Sequence, residues 1–201
     1  MRIILLVLVF ICRFQIPSAI ASPIETNTRN IVHILNRLSF GPAPGDVERV
    51  RRMGIENFIH QQLYPDTIPE SGGLMTKLHK FTTLGQSPAQ LLRQWGPSTF
   101  ARPASDTSRK ADIQRLGKAH VITNEAAQAR LMRAVESSRQ LQEVMVDFWF
   151  NHFNIFKEKD WDIYWLPAFE EQAIRPHVLG SFSDLLKATA THPAMMVYLD
   201  N

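Results

Sequence analysis

The 201-residue chain contains one cysteine, Cys12, and that residue falls in a leader-like start. A disulfide framework, a thiolate metal site and a cysteine nucleophile are therefore excluded from the mature protein. Dense runs of Lys or Arg are also missing, and 22 basic residues face 19 acidic ones. The pI of 9.2 overstates the basic character, and without a basic stripe no nucleic-acid partner is expected. Strand-like alternation over more than four residues does not occur. There is no Gly-rich phosphate loop, no His-Glu-x-x-His zinc helix and no Gly-x-Ser-x-Gly nucleophile elbow.

Long apolar runs are short of membrane length as well. The longest near the start, Ile3 to Cys12, is about half of the ~20 residues a spanning helix needs. It lies between Arg2 and the small-x-small triplet Ala19-Ile20-Ala21, the layout of a secretory signal peptide. Residues 1–21 are expected to be cleaved after Ala21, leaving the protein in the periplasm or the medium. Cleavage takes Arg2 and Arg13 from the net charge of +3, so the mature chain sits near neutral.

What is present is helical periodicity. In "NTRNIVHILNRLSFGP", Ile31, Ile34, Leu35 and Leu38 recur at helical spacing, with Asn27 or Thr28 as the cap and Gly41-Pro42 as the stop. "DVERVRRMG" and "IENFIHQQLYP" predict two further short helices, ending at Gly54 and before Pro65. Residues 22–95 form an N-terminal helical region. Residues 96–111, rich in Pro, Ser, Thr and charge, predict an exposed loop or linker. The aromatic-rich region 112–201 follows, with a long helix or a broken pair over 112–136 and another helix over 139–156. The fold class is an all-α, irregular bundle of short helices without significant sheet.

The stretch "EVMVDFWFNHFNIF", residues 143–156, carries the most chemistry. At ~100° per residue, Glu143, Asp147, Asn151 and Asn154 fall within about 80° of one another, and apolar side chains fill the rest. The stripe reads either as a thin solvent-facing edge or as a carboxylate pair, Glu143 and Asp147, one turn apart and suited to a divalent metal. His152 lies inside the apolar arc, about 140° from Asp147. On that face it is expected to be a core histidine bonded through one nitrogen. As a base or metal ligand it needs a partner from another helix, with Glu170, Glu171, His177, His192 and Asp200 the candidates.

Nine of the 19 aromatic residues fall between Phe148 and Phe169, a density that predicts a core. Trp161, Tyr164 and Trp165 have a second reading, as exposed rings that grip a sugar chain or a partner protein. "PAFEEQAIRP" predicts a short helix with Pro167 in its first turn and Arg175 complementing the dipole at its end. Ser181 or Ser183 caps the next helix, and His192-Pro193 ends it.

Three blocks, "HILNRLSFGPAPGDVERV", "EVMVDFWFNHFNIF" and "IRPHVLGSFSDLLKATATHPAMMVYLDN", resemble in order the N-terminal half of an exported bacterial family known as domain of unknown function 1800. Members of that family are more than twice as long, which implies that a C-terminal half is a missing partner of this chain. The positions matching the family's polar motif residues are Asn36 and Arg37, then Asp147, Asn151, His152 and Asn154, then Arg175, His177, His192, Asp200 and Asn201. Thr191 departs from the basic residue expected before His192.

Two functions are compatible with these residues. One is a hydrolytic or metal-assisted enzyme acting on an envelope or extracellular polymer, with Asp147, Asn151, His152 and His177 as the catalytic set and Glu143, Asp147 and His152 as candidate ligands of a divalent metal. The other is a non-catalytic surface module that binds a polysaccharide or an envelope protein through exposed aromatics.

Overall fold

Capping chemistry sets where the helices begin and end. In the computed structural model, which describes residues 26–97, 106–157, 159 and 161–201, Asn27 caps α1 (Thr28–Leu38) by accepting the Asn30 N–H at 2.9 Å. The Ser39 hydroxyl closes the same helix by donating to the Leu35 carbonyl at 2.6 Å. One residue, Gly54, joins α2 (Asp46–Met53) to α3 (Ile55–Leu63). Its φ of 87° is a conformation glycine adopts without steric cost. Pro65 opens a 3₁₀ turn (Pro65–Thr67), and α4 (Gly72–Leu78) starts from a Ser71 cap. A capping box of Ser87 and Gln90, with Pro88 in the first turn, starts α5 (Pro88–Trp95).

The 31-residue helix α6 (Asp106–Glu136) is unbroken, about 46 Å long at 1.5 Å per residue. Helix α6 therefore takes in residues 106–111 of the segment expected as a loop over 96–111. Residues 98–105 lie outside the described residues, as does the leader expected at 1–21, and from Asp106 the chain is helical. Arg109, Lys110 and Ala111 are strong helix formers, which outweighs their lack of apolar spacing.

A tight turn leads from α6 into α7 (Gln140–His152). Gln62, 1% exposed, lies beneath it. Its Nε2 donates to the Ser138 carbonyl at 3.0 Å and its Oε1 accepts the Leu141 N–H at 3.0 Å. Both ends of one buried amide thus tie α3 to the α6–α7 turn. α7 stops at His152, short of the expected end at Phe156, and Asn154 and Phe156 belong to the loop that follows.

Pro167 lies inside α8 (Asp162–Ala168), not at the start of a new helix as expected. A proline there removes one N–H and crowds the carbonyl four residues back. The chain then widens into a π turn (Phe169–Ile174) and tightens into a 3₁₀ turn (Arg175–His177). Ser181 caps α9 (Phe182–Ala190) and His192 caps α10 (Pro193–Tyr198).

Among the described residues, ten α-helices and no strand make this an all-α bundle of short helices around α6. α6 packs on α4, α5, α7 and α8. Ile31, Leu35, Val50, Ile55 and Phe58 hold α1–α3 together, while Leu91, Ala119, Ile122, Ile163 and Tyr164 join α5, α6 and α8. The largest cluster contains Val146, Phe150, Leu166, Phe169 and Ile174; each such side chain, fully buried, contributes about 1.5–3 kcal/mol. Among the described residues no helix is long and apolar enough to cross a membrane.

Candidate functional site

The two faces of α7 carry opposite chemistry. On the first, Glu143 is 3% exposed and accepts both terminal nitrogens of Arg175, at 2.7 and 3.2 Å. Arg175 also donates to Glu170 at 2.9 Å. Glu170 accepts Arg130 Nε and Nη2 at 3.0 and 2.6 Å, and Arg133 donates to Glu171 at 2.8 Å. Three guanidiniums and three carboxylates therefore form one charge-balanced seam between α6, α7 and the π turn. Arg130 is stacked as well as paired, its guanidinium carbon 3.5 Å from the Phe150 ring centre.

Glu170 and Arg175, which share an ion pair, are each held in the ionised form. Burial pushes the Glu170 carboxyl up, and Arg130 and Arg175 more than offset that, leaving it below the ordinary carboxylate range. Burial likewise works against the Arg175 cation, but Glu143, Glu171 and Glu170 outweigh it and hold the proton more tightly than on an ordinary arginine. A carboxylate fixed in this way is a poor proton donor at neutral pH.

The sequence-predicted site residues are distributed around this seam without converging. Glu143, expected at a solvent edge or beside Asp147 on a metal, is instead buried and paired to Arg175. Asp147, half-buried, lines a shallow groove with Phe40, Leu131 and Val135. Its backbone carbonyl accepts the exposed Asn151 amide at 2.8 Å. His177 is half-buried in the 3₁₀ turn beyond Arg175. Among the described residues, no hydrogen bond, ion pair or ring contact joins any two of the Asp147, His152 and His177 side chains. Nor do three His, Cys, Asp or Glu residues gather so as to hold a metal ion. Glu143, Asp147 and His152 do not fit the expected divalent metal.

His152 itself corrects the expectation of a core histidine, because it is exposed at the last turn of α7. Its neighbours are rings: Phe153 at 4.9 Å, Trp149 at 5.4 Å and Phe148, stacked, at 6.2 Å. Trp149 also meets Phe182 of α9 at 5.7 Å. Phe148 and Phe182 are each 55% exposed. Five rings thus make a continuous ridge on the surface, with Asn151, Asn154 and Ser183 exposed on the elements that carry it.

Of the aromatics given two readings from the sequence, Tyr164 is core, 1% exposed, whereas the two tryptophans are neither core nor platform. Trp161 and Trp165 are half-buried and line, with Tyr164, Leu92 and Val197, an apolar hollow of about 350 Å³. His192 is 7% exposed; its Nδ1 accepts the Ala194 N–H at 3.2 Å. Burial holds it below the ordinary histidine range, and Phe169 and Trp165 meet its ring edge to face.

Two members of the seam have no part in the sequence reading: Arg130 and Arg133, one turn apart on a helix read only for length. Arg175 is read there as complementing the helix dipole and as matching a family motif position, not as an ion-pair partner of Glu143. The usable signal was the adjacent pair Glu170-Glu171 beside Arg175, set in an apolar segment where unpaired charge is costly.

Comparison with known proteins adds a family and nothing finer. No curated protein and no solved structure matches the chain. One family model, described as "Protein of unknown function (DUF1800)", matches residues 33–201. Because that match covers most of the sequence, the chain belongs to the DUF1800 family.

Proposed function

We propose that this protein is an exported, non-catalytic surface module that docks on another protein of the cell envelope through the ridge of Phe148, Trp149, His152, Phe153 and Phe182. The observation that carries this reading is the exposure of Phe148 and Phe182, each 55% open to solvent while in a continuous run of rings. Apolar aromatic centres with a polar rim are the anatomy of protein interfaces, and here Asn151, Asn154 and Ser183 supply polar groups beside the rings. Export rests on the leader at residues 1–21 and the absence of cysteine after it.

A hydrolytic role for Asp147, Asn151, His152 and His177 has less support. Hydrolysis needs a base within hydrogen-bond reach of a nucleophile or water and an orienting partner for that base. His152 leans on three rings, and the Glu143 carboxylate is already committed to Arg175.

The test is site-specific photocrosslinking in intact cells of the source bacterium. A photoreactive residue at position 148 or 182 is expected to give the same discrete protein adduct in the envelope or medium fraction, and exposed Arg52 replaced in the same way to give none. Adducts that are absent, or equal at position 52, would refute the docking role. An uncleaved chain confined to the cytosol would refute export.

A further inference from the structure

A broad hollow on the surface lies over the charged seam. A cleft of about 780 Å³ meets a second of about 540 Å³, and Asp66, Gln142, Arg175 and Pro176 belong to the walls of both. The two are one groove with a waist. Its ends are apolar, with Met75, Phe81 and Leu84 at one and Leu63, Tyr64 and Leu179 at the other.

The waist is polar and of a specific kind. Gln142 is half-buried, and among the described residues no hydrogen bond engages its amide. Beside it, Arg133 and Arg175 are neutralised by Glu171 and Glu143. Arg139 lies 3.6 Å from Asp66 and 3.9 Å from Glu70, so one carboxylate is in excess. Asp66, whose side chain is 98% exposed, carries that excess outward.

We propose that this groove binds an extended peptide with a basic side chain between two apolar ones. A primary amide both donates and accepts, so Gln142 matches the C=O and N–H of a peptide unit. An extended chain presents alternate side chains to one face, which suits two apolar ends separated by a polar waist. Asp66 faces the cation. A phosphorylated or otherwise anionic ligand meets an excess of carboxylate here, and a sugar chain leaves the apolar ends unfilled. The groove shares no residue with the aromatic ridge, so this assignment stands or falls independently of the docking role.

The test is selection of pentapeptides displayed on phage against the full chain, with Gly85→Trp as the counter-target. Gly85 lines the groove, and a Cβ built there meets nothing within 4 Å, so the backbone accepts a side chain and the tryptophan is expected to obstruct the groove; an unchanged urea midpoint checks that the variant is folded. Selected peptides are expected to carry Lys or Arg flanked by large apolar residues and to lose measurable binding to Gly85→Trp. As synthetic peptides they should weaken about threefold on Asp66→Asn, the worth of an exposed ion pair, and about fivefold on Gln142→Ala, the low end for its two hydrogen bonds. Selection on Asp66→Lys should turn the basic position acidic. No enrichment, or peptides indifferent to all of these substitutions, would overturn the assignment. So would peptides whose basic residue survives selection on Asp66→Lys.

Discussion

The seam and the ridge are built on the same helix, and they invert the usual rule for what faces inward. Along α7, Glu143 is 3% exposed and Phe148 is 55% exposed, five residues and just over one turn apart. The seam tolerates buried charge because each carboxylate meets a guanidinium. The ridge leaves apolar area in water, uncovered by any other described residue. A buried ion network of this kind is a weak source of net stability, since desolvation consumes most of the Coulomb gain, but removing one member is expensive. An exposed ring has the opposite economy: deleting it costs the fold little, and any loss appears in what it binds.

The sharpest way to test that contrast is Glu170→Ala, which strips Arg130 and Arg175 of their shared partner. Urea unfolding should show a loss of about 3–5 kcal/mol. A loss below about 1 kcal/mol would mean that the seam is hydrated and behaves as surface.

Acid should act on the same side of the contrast. The Glu170 carboxyl is more acidic in the folded protein than its ordinary value of 4.5. Its contribution is therefore fully present above that value and is lost as pH falls through the lower, folded one. Unfolding midpoints measured from neutral pH downward should fall for the wild type and fall less steeply for Glu170→Gln. Identical slopes would show that other carboxylates carry the acid sensitivity.

The smallest effect is expected on the ridge. Phe148→Ala combined with Phe182→Ala should shift unfolding by no more than about 0.5 kcal/mol, as for surface positions. A shift above about 2 kcal/mol would place these rings in the core.

Much of the fold was legible because it is local. Asn27, Gly54, Ser181 and the His192-Pro193 break act within a few residues of themselves, and the spacing of Ile31, Leu35, Val50 and Phe58 needs nothing beyond its own helices. The orientation of α7 was not. A helical wheel fixes that Glu143 and Phe148 point in different directions, but which of them points inward depends on residues far along the chain. Arg175 lies 32 positions after Glu143 and Arg130 lies 40 before Glu170, and no periodicity links them. Treating charge as surface and aromatics as core therefore misplaces Glu143, Phe148 and His152, whereas Asn151 and Asn154 do face solvent and Val146 and Phe150 are buried. The bend at α8 escaped for a related reason: a proline within a helical pattern marks a break, but whether the chain stops or widens into a π turn is settled by what the wider turn can reach.

The π turn at Phe169–Ile174 also constrains how this sequence can drift in length. Removing one residue there would restore regular helical bonding and rotate everything downstream by about 100°. Arg175 would swing away from Glu143, stranding two opposite charges in the interior at once. Evolution can trim or extend the segment between α5 and α6 without touching the seam, whereas the reading frame of the fold between Glu170 and Arg175 is locked residue by residue.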